Sequence, residues 1–169
     1  MNPAAATDVT NTENQTTVER TSDREIVVTR VVNGPPELVW EAWTTPELFQ
    51  RWWVPKSLPM TLVACDIDAR IGGGYRLTFD FDGSTMDFYG RYLEVAPPHR
   101  LAYTNEEGEG EPTITTVTFE ATDDGRTRVV YHDRYPSAEA LEEGAGSTDA
   151  MPESFAQLDE LLATLNEAE

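Results

Sequence analysis

The feature that most constrains this fold is a set of six short segments, between residues 60 and 135, whose hydrophobic residues recur at every second position. The clearest is YRLTFDF at residues 75–81, where the period places Tyr75 and Phe81 on the same inward face. Successive side chains of a strand point to opposite faces, so this period predicts strands. Because short turn sequences such as DGST separate the segments, we expect an antiparallel meander with one apolar face.

A long amphipathic helix near the end of the chain supplies the cover that such a sheet needs on one face. From about Asp149 onward, hydrophobic residues recur at steps of three and four, which predicts one apolar stripe. The stripe consists of Met151, Phe155, Leu158, Leu161, Leu162 and Leu165. No other predicted helix is long enough to cover the sheet. We therefore predict an α+β fold in which a curved antiparallel sheet wraps around a long C-terminal helix.

The segments before the meander predict one strand and two short helices. EIVVTRVV at Glu25–Val32 is β-branched, which is typical of a strand. PELVWEAW at residues 36–43 and TTPELFQRWW at residues 44–53 predict two short helices in tandem, each with proline near its first turn. A further short helix followed by a loop is expected in PSAEALEEGAGS, at residues 136–147.

Length and composition predict the domain organisation. The chain has 169 residues, enough for one domain with a substantial core. Residues 1–23 are polar and show no periodicity, so we expect a disordered tail there and a single domain over residues 24–169. No apolar run is long enough to span a bilayer, and the N-terminus resembles no signal peptide. We therefore expect a cytoplasmic protein without a membrane partner.

The charge is strongly acidic. Asp and Glu total 31 against 12 Lys and Arg, which gives a net charge of −19, and Lys56 is the single lysine. Nucleic acid is therefore a poor partner, because it would be repelled. The acid forms either a binding surface for a basic partner or a solvated surface adapted to a salty, halophilic cytoplasm. Acid spread along the whole chain, with lysine nearly absent, favours the second interpretation.

The sequence contains no catalytic, metal-binding or phosphate-binding motif that we could identify. The single cysteine excludes an internal disulfide and a cysteine-rich metal site. His99 lies in a turn, and His132 has the phase of the outer face of the last strand, so neither is expected to act as a catalyst. We therefore predict no catalytic residue, no metal and no cofactor, and we do not expect an enzyme.

Asp133 is the polar residue that deserves most weight, because it shares a strand face with Tyr131 and Tyr135. A carboxylate on an inward face must be solvated, paired or protonated. It is either a polar anchor in an apolar pocket or a strand-end residue in water, with Arg30 as its candidate partner. Glu94 raises the same question.

Two adjacent tryptophans, Trp52 and Trp53, end the second predicted short helix. Neighbouring residues point in different directions, so the two rings need separate roles. Phe49 is three residues before Trp52, so these two are predicted to anchor the short helix to the sheet. Trp53 is then predicted to lie at the mouth of a cavity. Alternatively, Trp53 packs on the first short helix, near Trp43 or Trp40.

At this point the chain resembles a known family. EIVVTRVVNGPPELVWEAWTTPELFQRWWVPK is similar to the opening of the activator-of-heat-shock-protein-90-ATPase homologue family, within the START-like (SRPBCC) helix-grip superfamily. The resemblance continues through DIDARIGGGYRLTF, FYGRYLEVAPPHRLAYT, TVTFEATDDGRTRVVY and QLDELLATL. It implies a helix-grip fold with a cavity between sheet and C-terminal helix, which in the wider superfamily holds hydrophobic molecules.

Three functions stay open on this basis. The first is binding of a small hydrophobic ligand, with a predicted site formed by Trp53, Tyr75, Phe79, Phe88, Tyr103, Tyr131 and Phe155 and with Asp133 as polar anchor. The second is a co-chaperone-like interaction module, and the third is a cyclase or hydrolase in which Asp133 is the general acid or base. Exposed edges of a meander sheet would also allow a homodimer.

Overall fold

The computed structural model describes residues 15–106 and 110–168, and these residues form one antiparallel sheet covered by helices. The sheet has eight strands in the order β1-β2-β8-β7-β6-β5-β4-β3. The strands are β1 (Thr17–Ser22), β2 (Glu25–Val32), β3 (Met60–Ile67), β4 (Gly74–Phe81), β5 (Ser84–Ala96), β6 (Arg100–Asn105), β7 (Thr113–Ala121) and β8 (Thr127–Arg134). The six predicted strands after Met60 are thus confirmed, and they form a meander as expected.

Four helices are described: α1 (Pro36–Thr44), α2 (Pro46–Phe49), α3 (Ala138–Asp149) and α4 (Met151–Ala168). Proline stands in the first turn of α1 and of α2, where its missing N–H costs no hydrogen bond. The Ser137 hydroxyl accepts a hydrogen bond from the Ala140 N–H and caps α3. The two tandem helices and the C-terminal helix are present as predicted, but α2 ends at Phe49, before the two tryptophans, and α4 begins two residues later than expected.

Helix α4 packs its apolar stripe against the inner face of the sheet. Phe155, Leu158 and Leu162 are fully buried there, as are Val28 and Val129 on the facing strands. Burying such side chains contributes about 1.5–3 kcal/mol each, relative to leaving them exposed. The α+β helix-grip architecture predicted from the sequence is therefore confirmed.

One strand and one helix correct the prediction. Strand β1, which pairs antiparallel with β2, lies inside the segment expected to be a disordered tail. All six of its side chains are exposed, so it has no hydrophobic alternation from which it could have been predicted. Residues 1–14 lie outside the described residues.

Helix α3 continues through residues expected to be a loop, and a Cβ at Gly144 would lie 2.7 Å from the Tyr135 ring. The glycine there permits close helix packing and does not end the helix.

Phe81 is a further correction, because it does not face the interior. The residue is 46% exposed and pairs with Ser84 across the hairpin turn at the end of β4. The period of two predicts a face of the sheet, but it cannot show how far along the strand that face is covered.

Candidate functional site: a cavity between the sheet and the helices

An internal cavity of about 660 Å³ opens between the inner face of the sheet, the segment that follows α2 and the first turns of α3 and α4. Most of its wall is aromatic or aliphatic. Seven of the eight predicted site residues line it: Trp53, Tyr75, Phe79, Phe88, Tyr103, Tyr131 and Asp133. They come from strands β4, β5, β6 and β8 and from the turn after α2, so the sheet curvature brings them together.

Phe155 is the predicted site residue that the structure places elsewhere. It is fully buried and does not line the cavity. Its ring centroid lies 6.0 Å from that of Trp43 and 6.1 Å from that of Trp52. Phe155 therefore supports the cavity wall from behind. The helical stripe predicted its inward direction correctly, but a second aromatic layer stands between Phe155 and the cavity.

The two adjacent tryptophans have the separate roles that their positions require. Trp52 is fully buried, and its indole N–H donates to the Ala42 carbonyl at 2.9 Å. Trp53 is half-buried, lines the cavity and stacks on Phe49, with ring centroids 4.9 Å apart. It also contacts Trp43 edge-on, with ring centroids 6.2 Å apart. Trp53 therefore both packs on α1 and faces the cavity.

Polar side chains of α4 hold the tryptophan turn in place. Gln157 Nε2 donates to the carbonyls of Trp52 and Val54, both at 2.9 Å. The Ser154 hydroxyl donates to the Trp53 carbonyl at 2.7 Å. Sequence reasoning missed both donors, although they continue the helical step of three from Met151 and so lie on the covered side of α4.

A group of three tyrosines forms one end of the cavity wall. The ring centroids of Tyr75, Tyr92 and Tyr103 lie 5.3–6.0 Å apart in edge-to-face contacts. The Tyr75 hydroxyl donates to the Thr104 carbonyl at 2.8 Å. Burial raises the pKa of Tyr103 well above its usual value and also raises the pKa of Tyr92. These hydroxyls stay protonated at neutral pH and can donate hydrogen bonds.

Asp133 is the buried acidic group of the site and is only 4% exposed. Burial raises its pKa to about 6, although the Thr115 hydroxyl opposes the rise by donating to Oδ1 at 2.6 Å. The Tyr135 hydroxyl lies 3.5 Å from Oδ2. The interpretation of Asp133 as a strand-end residue in water is wrong, because the residue is buried and accepts a hydrogen bond from Thr115 on β7. Glu94, by contrast, is at the surface and pairs with Arg100 at 2.9 Å.

Arg30 is not the partner of Asp133, which corrects the prediction. Its guanidinium donates to Asp159 on α4, with 2.7 Å between Nη2 and Oδ2. Among the ion pairs of the described residues, none includes Asp133. The carboxyl group therefore has hydroxyl neighbours but no counter-charge.

The indole N–H of Trp43 is a second unusual polar group in the wall. Trp43 is 2% exposed, and its Nε1 has no hydrogen-bond partner among the described residues. The Tyr103 hydroxyl is its polar neighbour, because the Trp43 N–H lowers the pKa of that hydroxyl against the larger effect of burial. A buried donor without a partner costs about 1–3 kcal/mol.

No metal site or histidine chemistry is evident in the described ranges. No group of three or more His, Cys, Asp or Glu side chains there could hold a metal ion. His132 faces outward, as predicted, and contacts Glu25 at 2.8 Å. The cavity can enclose an apolar molecule and offer it an acceptor at Asp133. No helix within the described ranges is both long and apolar enough to span a bilayer.

Comparisons with known proteins agree with this architecture. A protein from Rhodobacter sphaeroides is 25% identical, with a TM-score of 0.80 over 89% of this chain and 99% of its own. A protein from Nitrosomonas europaea is 26% identical, with a TM-score of 0.76 over 88% of this chain and 99% of its own. An AHSA1-like protein from Aeromonas hydrophila shares the fold at 20% identity, with a TM-score of 0.68 over 80% of this chain and 92% of its own.

A search of the curated proteins gave no match. The family described as Activator of Hsp90 ATPase homolog 1-like protein matches residues 33–163, from the end of β2 into α4. The match covers most of the chain and includes the strands and turns that form the cavity. This chain therefore belongs to the Activator of Hsp90 ATPase homolog 1-like family.

Proposed function

We propose that this protein binds a small hydrophobic molecule in the cavity between the sheet and α4. The observation that carries the proposal is a mostly apolar cavity of about 660 Å³ whose wall contains one buried carboxyl group, Asp133, which has hydroxyl donors but no ion pair among the described residues. Ligand pockets commonly measure about 300–1,000 Å³, and they fix orientation with a few polar groups in a mostly apolar wall.

The predicted binding residues fit this role by their chemistry. Trp53, Tyr103 and Tyr131 offer large aromatic surfaces with polar edges, which suit contact with a ligand that has both apolar and polar parts. Trp53, half-buried beside Phe49, is suited to cover the cavity mouth. Asp133 supplies a buried carboxyl group that would orient the ligand.

The test is native mass spectrometry, with solvent extraction, of the full chain purified in high salt. We expect a co-purifying small molecule that is released on denaturation. Ala140→Phe places a ring in the cavity wall and should abolish the bound mass, whereas Ala156→Phe on the exposed face of α4 should retain it. Neutral Nile red provides an independent probe, and failure of both measurements to detect binding would overturn the proposal.

A second candidate function is catalysis of the cyclase or hydrolase type. It is supported by the enclosed Asp133, because burial raises its pKa to about 6, close to working pH for a general acid or base. The test is to incubate the extracted molecule with the protein. Conversion that is lost in Asp133→Asn while binding persists would favour the enzyme.

The remaining predictions concern partners and environment. A co-chaperone-like role is suggested by the family description, and stimulation of a heat-shock protein 90 ATPase by Ala140→Phe as well as by the wild type would favour it over ligand binding. A homodimer through the edge strands β1 or β3, a cytoplasmic location and adaptation to salt also stay predictions.

A further inference from the structure

The charges around the cavity are of one sign, and this asymmetry bears on the class of ligand. Apart from tyrosines, its ionisable lining residues are Glu111, Asp133 and Glu143. No Lys, Arg or His belongs to the described lining. Glu111 and Glu143 are exposed at the rim, whereas Asp133 is buried. A hydrophobic carboxylate would therefore enter a cavity whose described lining repels it and offers it no cation.

The described groups around Asp133 include hydroxyls and acids but no cation that pairs with it. Thr115 on β7 donates to it, and Tyr135, just after β8, lies at 3.5 Å. Tyr131 on β8 and Tyr103 on β6 also interact with it electrostatically. His132 is its chain neighbour, but it points to the outer face and contacts Glu25. On α3, the titratable group nearest in the lining is the acidic Glu143. Asp133 is thus surrounded by neutral hydroxyls and further acid.

The aromatic surroundings also favour a cation. Tyr103 and Tyr131 line the cavity together with Trp43, and the Trp43 and Tyr131 ring centroids are 6.3 Å apart. Aromatic faces attract ammonium groups, most strongly where water is excluded. A buried carboxylate without a counter-ion is costly, and a cation that pairs with it removes that cost.

We propose that the ligand is a hydrophobic amine, bound as its ammonium form with N–H groups on the Asp133 carboxylate. This inference rests on the proposed function, since it assigns a ligand class to the same cavity. It adds that the ligand is positively charged, which the shape and the hydrophobicity of the cavity alone do not indicate. The acidic rim would attract the amine, and the apolar wall would retain its skeleton.

The experiment compares three probes that share one skeleton: 4-phenylbutylamine, 4-phenylbutan-1-ol and 4-phenylbutanoate. Binding to the full chain is measured by calorimetry and by displacement of Nile red. We expect the amine to bind about tenfold or more tightly than the alcohol, and the carboxylate to bind most weakly. Equal or tighter binding of the alcohol or carboxylate would overturn the amine assignment, while Nile red binding would still support the cavity itself.

A matched pair of variants separates the site from the general acidity of the protein. Asp133→Asn should abolish the preference for the amine, whereas Glu120→Gln, which removes one charge from the exposed face of β7, should leave it unchanged. A preference that survives in Asp133→Asn would contradict the proposal.

The pH dependence of the wild type provides a test that does not depend on how a variant folds. The amine stays protonated between pH 5 and pH 7, while Asp133, whose pKa is about 6, ionises. The affinity for the amine should therefore rise about tenfold over that range, in proportion to the ionised fraction. The affinity for the alcohol should not rise, and a flat amine profile would contradict the proposal.

Discussion

The guanidinium of Arg30 donates to the carboxylate of Asp159, with 2.7 Å between Nη2 and Oδ2, and so joins strand β2 to helix α4. The two side chains are only 10% and 13% exposed. Asp159 also accepts from the Asn33 N–H at 2.8 Å, so one carboxylate connects the helix to both a strand and the turn after it. The register of β2 and β8 places Arg30 opposite Val129 and Asp133 opposite Ile26, so Arg30 lies away from Asp133.

Replacing Arg30 with methionine should destabilise the fold. The variant keeps most of the apolar stem but leaves Asp159 buried without its cation, which we expect to cost about 3 kcal/mol. Urea denaturation in high salt measures this loss. The control is Arg20→Met, which removes an exposed ion pair with Glu142 and should cost less than about 1 kcal/mol. Similar losses in the two variants would show that the Arg30 pair is not a structural link.

Trp52 and Trp53 should respond differently to truncation. Trp52→Ala removes a fully buried ring and its hydrogen bond to Ala42, so we expect a loss of about 3–5 kcal/mol in the free energy of unfolding. Trp53→Ala should cost less, because the ring is half-buried, and should weaken Nile red binding several-fold. Unfolding and dye titrations on both variants test this. Unchanged dye affinity in Trp53→Ala would remove the mouth assignment.

The fold could be predicted because its elements carry strong local patterns. The period of two in β4 and the apolar stripe of α4 each predict which face is covered, and the antiparallel arrangement follows from short turns. Strand β1 escaped prediction because its six exposed side chains need no hydrophobic pattern to pair at a sheet edge. The continuation of α3 escaped because Gly144 serves the packing of Tyr135, which is a tertiary contact.

The sequence predicts which side chains of the candidate site point inward, but not which of them reach the cavity. Phase placed Tyr131 and Asp133 on the inner face, and the structure agrees. The same argument could not separate Phe79, which faces the cavity, from Phe155, which lies one layer behind it. The unsatisfied N–H of Trp43 was equally invisible, since it depends on atoms from several strands that only the folded chain brings together.

Gln157→Ala should loosen the tryptophan turn. It leaves the carbonyls of Trp52 and Val54 without their donor, and we expect a loss of about 2 kcal/mol. Hydrogen exchange should become faster in residues 52–57, and the dye affinity should fall. The matched control is Glu160→Ala on the exposed face of the same helix, which should leave both properties unchanged. Equal exchange rates in the two variants would show that the turn at residues 52–57 does not depend on the hydrogen bonds of Gln157.

Salt should stabilise this protein. With a net charge of −19, the folded chain repels itself, and raising KCl from 0.1 M to 2 M should raise Tm by several degrees. A triple variant with amides at exposed acids, Glu120→Gln, Asp123→Asn and Glu160→Gln, should respond less. A Tm independent of salt would favour the alternative in which the acidic surface binds a basic partner.

Asp133 should make stability fall as pH rises. Burial raises its pKa from 3.8 to about 6 in the folded state, so the folded protein binds this proton more tightly than the unfolded chain does. The stabilisation is complete below pH 4 and is lost as pH rises through about 6, which amounts to roughly 3 kcal/mol. Asp133→Asn removes this dependence and can still accept the hydrogen bond from Thr115. The difference in unfolding free energy between variant and wild type should therefore shift in favour of the variant by about that amount between pH 4 and pH 7.5. Subtracting the two proteins cancels the other carboxylates, and a difference that stays constant over this range would show that Asp133 titrates as it does in water.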